Sequence, residues 1–168
     1  MVAVAATEPF ILEAISRGHE TVAIAAGNAP SQCVISGEAT AVRSLTAVLE
    51  ESDIACEPLT VSHAFHSPLM EPALDEIDRA LASVNFQTPR IPIFSNLFGR
   101  EAAAGEIDNA VYWRRQVTGT VRFADCVAAA GECGTNTFVE VGPQPILTSL
   151  ARRTLEARTG ILAPSLRQ

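Results

Sequence analysis

Thr21-Val22-Ala23-Ile24-Ala25 and Gln32-Cys33-Val34-Ile35-Ser36 stand on either side of Gly27-Asn28-Ala29-Pro30. The outer runs are short and apolar, and the middle has turn composition, so the stretch reads as an antiparallel hairpin. On its N-terminal side, residues 2–6 are a short β-compatible run. Thr7 then offers an N-cap, Glu8 suits the positive end of a helix, and Pro9 fits the first turn. Phe10, Ile11, Ala14 and Ile15 recur at helical spacing until Gly18 stops the helix. On the C-terminal side, Gly37 and Glu38 open a second helix with Val42, Leu45 and Leu49 on one face, and residues 55–59 read as a fourth strand. The order β-α-β-β-α-β is the split βαβ, ferredoxin-like pattern. Residues 1–60 are therefore expected to form a small subdomain, a four-stranded antiparallel sheet with two helices on one face.

Residues 61–168 carry a different pattern. Met70, Leu74, Ile77, Leu81 and Val84 form a helical stripe after Pro68, opposite Asp75, Glu76, Asp78 and Arg79. Residues 91–95 read as a short strand. Residues 109–117 and 122–130 read as helices joined at Thr118-Gly119-Thr120. Residues 137–141 are dense in β-branched side chains, as expected of a buried parallel strand. Gly142-Pro143 ends it, with residues 140–143 turning the chain and taking no part in chemistry. Ile146, Leu147, Leu150 and Leu155 give a last helix face, and Ile161-Leu162 a last edge strand. Strand and helix alternate, which is the α/β pattern, with too few strands for a complete sheet.

Hydrophobic residues make up 48% of the chain, enough for a real core, and the net charge of −7 argues against a nucleic-acid surface. All 12 basic residues are Arg, so Schiff-base and lysine P-loop chemistry are excluded. Cys33, Cys56, Cys126 and Cys133 form no C-x-x-C pair, so no metal site is expected; they read as reduced thiols of a cytoplasmic protein. No apolar run is long enough for a membrane span, and the first residues lack the basic flank of a signal peptide. The chain opens directly on a strand, as if inside a larger fold.

The chemistry-bearing stretch is Ser62-His63-Ala64-Phe65-His66-Ser67-Pro68-Leu69-Met70, with two of the 3 histidines. Histidine titrates near neutrality and is the usual proton shuttle. This loop, the stretch Gly27-Asn28-Ala29-Pro30-Ser31-Gln32 with Val34-Ile35-Ser36-Gly37, and Phe138-Val139-Glu140-Val141-Gly142-Pro143 before Leu147-Thr148 line up in order. Together they resemble the C-terminal part of the acyltransferase domains of modular type I polyketide synthases. More distantly they are similar to malonyl-CoA:acyl-carrier-protein transacylases.

The resemblance implies a fold and a set of roles. The fold is α/β with an α+β insert: a ferredoxin-like small subdomain at 1–60, and at 61–168 the C-terminal part of an α/β-hydrolase-like subdomain. His66 would be the catalytic base. His63, Ala64 and Phe65 would set specificity, a HAFH block going with malonyl and a tyrosine-alanine-serine-His block with methylmalonyl. Asn28 and Gln32 would face the cleft, and the backbone carbonyl of Arg122 would orient the histidine. No bound cofactor is implied; malonyl-CoA and the phosphopantetheine of an acyl carrier protein are substrates. The partners implied are that carrier protein, the N-terminal remainder of the domain and neighbouring synthase domains.

No G-x-S-x-G elbow occurs in the chain, and Ser36, Ser62 and Ser67 do not sit on one. The family's nucleophile, oxyanion-hole glutamine and carboxylate-binding arginine would lie before Met1. Two other readings compete: a non-catalytic ferredoxin-like module binding a carrier protein or small ligand, and a hydrolase with Cys33 or Cys56 as nucleophile. Neither cysteine has the flanking glycines of an elbow. The 168-residue chain alone is expected to stay unmodified on incubation with malonyl-CoA. Intact-mass spectrometry checks this, and a stoichiometric malonyl adduct would put the nucleophile inside the chain.

Overall fold

A computed structural model describes residues 1–155 and 160–166. The first half contains β1 (Val2–Val4), α1 (Glu8–Ser16), β2 (Val22–Ala29), β3 (Gln32–Gly37), α2 (Ala39–Glu50) and β4 (Cys56–Pro58). They form one four-stranded sheet in the order β2-β3-β1-β4, antiparallel at every pairing. The alternation of a strand decides its two faces. Val2, Val4, Cys33 and Ile35 point to the helix side and pack with Ile11, Val42, Leu45 and Leu49. Ala25, Ala26 and Val34 point to the other side, against Met1, Ala3 and Val121. Ile11, Ile35 and Leu45 are fully enclosed, each contributing about 1.5–3 kcal/mol of burial.

The hairpin turns later than its composition predicts. Gly27 and Asn28 belong to β2, and the chain reverses around Pro30 and Ser31. Register shifts between Ile24 and Ala26 and between Gly27 and Ala29 mark bulges that bend β2, and the Gly27 N–H pairs outward with the carbonyl of Val121 (2.9 Å). Thr7 takes the N-cap position of α1, but its hydroxyl makes no capping bond.

The second half starts with a 3₁₀ turn (Pro68–Ala73), where an unbroken α-helical stripe is predicted. Pro72 has no N–H to give a helix, so α3 (Leu74–Leu81) starts after it. β5 (Phe94–Ser95) is shorter than the expected 91–95 strand, because Pro92 interrupts pairing and leaves Ile91 exposed. It pairs with β6 (Arg100–Glu101). Then follow α4 (Ala110–Thr118), capped by Asn109, α5 (Phe123–Glu132), β7 (Thr137–Glu140), α6 (Leu147–Leu155) and β8 (Ile161–Pro164). β7 and β8 are parallel, and Phe138 and Leu162 pack on Val127, Ala151 and Leu155 of α5 and α6.

β7 is not the buried strand its composition predicts. Val139 is 62% exposed and Val141 beyond it 87% exposed. The helices cover one face only, and among the described residues β8 is its one strand partner.

Glu140 ends β7 with its carboxylate over the start of α6. It accepts the N–H groups of Ile146 (3.0 Å), Leu147 (2.9 Å) and Thr148 (2.8 Å), and the Thr148 hydroxyl (2.9 Å). Desolvation pushes this carboxyl up, but the bonds from the Thr148 and Leu147 backbone, the Thr148 hydroxyl and the Ile146 backbone outweigh it and hold it below its ordinary value. A folded-state value below the unfolded one gives stability that is present above the unfolded pKa and lost as pH falls through the folded one. Glu140→Gln is expected to lower Tm by roughly 2–4 °C at pH 7 and to flatten the decline in Tm below about pH 4.3. Calorimetry across pH 3–7 measures both, and an unchanged acid limb would remove Glu140 as its source.

Candidate active site

The loop after β4 is held by its own polar atoms. Ser67, fully buried, donates its hydroxyl to the Ala64 carbonyl (2.6 Å) and accepts the Leu69 N–H (3.3 Å). That bond caps the 3₁₀ turn and sets the end of the loop. Between these anchors His66 adopts φ 56°, a left-handed conformation costing a non-glycine residue about 1–2 kcal/mol. The surroundings must over-determine it to persist.

They do so through the imidazole. Nδ1 lies 3.0 Å from the Gly119 carbonyl and 3.2 Å from the Gln116 carbonyl. Both partners are acceptors, so Nδ1 carries the hydrogen, and in the neutral imidazole the lone pair is on Nε2. Among the described residues Nε2 has no hydrogen-bond partner. The two carbonyls are available because α4 ends here: its last carbonyls lack helical partners and carry the negative end of its dipole. Gly119 is required for this approach. A Cβ there would lie 2.5 Å from Leu97 Cδ1 and 2.9 Å from the Arg115 carbonyl.

The next residues each bond a different element. The Thr120 hydroxyl donates to the Ile24 carbonyl (2.7 Å). The Val121 N–H donates to Ala25 (2.8 Å) and its carbonyl accepts from Gly27 (2.9 Å), extending the sheet beyond β2 by one parallel bridge. The Arg122 N–H donates to Asn96 (2.7 Å), and its guanidinium pairs with Glu8 of α1 (2.8 Å) and, further away, Asp125 (3.7 Å).

The residues singled out from sequence fall in different places. His63 is exposed, with Nδ1 2.9 Å from the Ser62 hydroxyl and its ring 5.8 Å from that of Phe65. Phe65 is 39% exposed, and Ala64 is half-buried. His63 and Ala64 also line a cleft of about 470 Å³ between α2 and the chain after β4; neither His66 nor Phe65 lines it. Asn28 lies within β2. Gln32 receives the Arg153 guanidinium of α6 (2.7 Å), which occupies its amide oxygen. The carbonyls at Nδ1 belong to Gln116 and Gly119, whereas that of Arg122 accepts from Cys126 inside the first turn of α5. The expectation for Arg122 falls three residues late because sequence does not register which carbonyl a helix end leaves free. Gln116 and Thr120 gave no signal in the sequence; Gly119, a glycine at a helix end, gave a weak one.

The surroundings of Cys33 and Cys56 disfavour the thiolate a nucleophile needs. Burial, and then Glu8, push Cys33 to about 11 against a smaller opposing effect of Arg122, and burial with Glu50 raises Cys56. Among the described residues no cluster suits a metal ion, and no helix is long and apolar enough to cross a membrane.

Comparison with known proteins gives the family and the fold of the chain. The family model described as "Acyl transferase domain" matches residues 1–168. The phenolphthiocerol synthesis polyketide synthase type I Pks15/1 of Mycobacterium marinum is 41% identical over 99% of this chain and 8% of its own length. The acyltransferase domain from the second module of the salinomycin polyketide synthase superposes with TM-score 0.93 and 40% identity, over 99% of this chain and 39% of that one. The malonyl-CoA:acyl carrier protein transacylase FabD of Xanthomonas oryzae superposes with TM-score 0.86 and 28% identity, over 97% and 52%. The chain thus spans about two-fifths to a half of these structures, and with its α/β architecture it belongs to the acyl transferase domain family of polyketide synthases and related transacylases.

Proposed function

We propose that this chain is the base-bearing portion of an acyltransferase that moves a malonyl unit from malonyl-CoA to the phosphopantetheine thiol of an acyl carrier protein. One observation carries the reading: His66 has Nδ1–H bound to two carbonyls and Nε2 unengaged. That is the tautomer a general base needs. The nucleophile would be a serine from the part of the domain outside this sequence, since the chain has no G-x-S-x-G.

In the first half-reaction the serine hydroxyl attacks the thioester carbonyl while Nε2 takes its proton. The C–S bond then breaks, and the imidazolium returns the proton to the departing CoA thiol. In the second half, the carrier-protein thiol gives its proton to Nε2 and attacks the acyl-serine ester, and the serine oxygen leaves with that proton. The Gly119 and Gln116 carbonyls stabilise the imidazolium in both steps without accepting the proton. Without serine and oxyanion hole the chain by itself is inactive in this reading.

Phe65 bears on the choice of acyl group. Its ring is partly exposed beside His63, one residue before the base. A ring there would fill the space of an α-methyl, favouring malonyl over methylmalonyl. One methyl is worth about 1–3 kcal/mol in such discrimination, so the preference is leaky.

In the full-length protein His66→Ala is expected to slow self-malonylation by roughly 10²–10⁴-fold with little change in CoA binding. Burst kinetics with malonyl-CoA measure this, and full rate in His66→Ala with loss in His63→Ala would transfer the role to His63. Phe65→Ser is expected to raise methylmalonyl relative to malonyl by about 10-fold in kcat/KM. An unmoved ratio would leave Phe65 as an anchor of the loop.

A further inference from the structure

The carbonyl that orients His66 belongs to a segment whose other bonds run away from the histidine. Directly after Gly119, the Thr120 hydroxyl donates to Ile24 (2.7 Å), a side-chain bond to β2 across 96 positions of sequence. Val121 adds two backbone bonds to the same strand edge at Ala25 and Gly27. The Glu8–Arg122 pair (2.8 Å, both groups part-exposed) ties the next residue to the start of α1. Gly119 is itself tied to the end of α4, its N–H donating to the Arg115 carbonyl (2.9 Å). The carbonyl of residue 119 is one peptide away from the Thr120 anchor, so displacement of the β2 edge is passed to Nδ1 of His66 with few free torsions between.

We infer that Thr120 is a positioning residue for His66, its hydroxyl registering the 119–122 segment on the small subdomain, with the Glu8–Arg122 pair as a second, weaker tie. The role rests on His66 being the base. A base displaced by about 1 Å loses up to 10²-fold in rate while leaving substrate binding intact. Val121's backbone bonds survive any side-chain change at 120, so only part of that loss is expected when the hydroxyl goes.

The test uses the full-length protein, following self-acylation by malonyl-CoA across a range of concentrations. Thr120→Val keeps the branched shape and removes the donor; kcat is expected to fall about 10-fold with KM within about twofold of wild type. Thr120→Ser keeps the donor and is expected to stay within about twofold in both constants. Glu8→Gln serves as the second variant if Thr120→Val does not fold, with an expected fall of about threefold in kcat at constant KM, as suits a part-exposed pair. Wild-type kcat in Thr120→Val, equal losses in the Val and Ser variants, or a loss confined to KM overturns the inference; if Thr120→Val is lost to misfolding, wild-type kcat in Glu8→Gln does so. His66→Ala run beside them separates the two assignments. If it is inactive while Thr120→Val runs at wild-type rate, the base stands and the positioning role falls. If His66→Ala keeps full rate, the base assignment itself falls.

Discussion

Four consecutive residues, Gly119 to Arg122, tie the His66 loop to the edge of the first half's sheet. Gly119 gives its carbonyl to His66, Thr120 its hydroxyl to Ile24, Val121 both backbone groups to β2, and Arg122 its N–H to Asn96 and its guanidinium to Glu8. The segment leaves a helix end, where carbonyls lack intrahelical partners, and passes the outer edge of a sheet, where N–H and C=O groups lack strand partners. Each side's unsatisfied groups meet in the other. Leaving them unpaired on burial would cost about 1–3 kcal/mol per group, so the segment is strongly held.

The two halves owe their stability to different interfaces. The first buries one face of its sheet under α1 and α2 and places small side chains, Ala25 and Ala26, on the opposite face, where Val121 and its neighbours approach. The second packs α5 and α6 on one face of the β7–β8 pair and leaves the other open, with Val139, Val141, Ile146 and Ile161 each more than half exposed. The chain spans 39% of a related acyltransferase domain whose fold it matches.

The left-handed His66 shows how the loop and the seam depend on each other. Its backbone conformation is unfavourable, and its ring reaches Gln116 and Gly119 across 50 and 53 positions of sequence. The loop's local bonds, through Ser67, set where the strained residue falls. The long-range carbonyls set which nitrogen holds the proton.

Much of this was legible in the residues. The apolar alternation of Val2, Val4, Cys33 and Ile35 and the spacing of Val42, Leu45 and Leu49 determined the β-α-β-β-α-β order, because one face of each element had to be buried. His66 was legible by residue type and by the block around it. What stayed hidden was whatever depends on backbone groups or on distant partners. Gly27-Asn28 reads as a turn, yet an outside residue, Val121, pairs with Gly27 and keeps it in strand. Residues 137–141 read as buried, but burial belongs to the layers around a strand and not to its composition. Above all, the carbonyls at Nδ1 come from Gln116 and Gly119, and any residue type offers a carbonyl. Sequence by itself determined the elements and the chemical groups; only the tertiary structure decided which helix end meets the imidazole, because that depends on how α4 stops and where β2 holds the chain that follows.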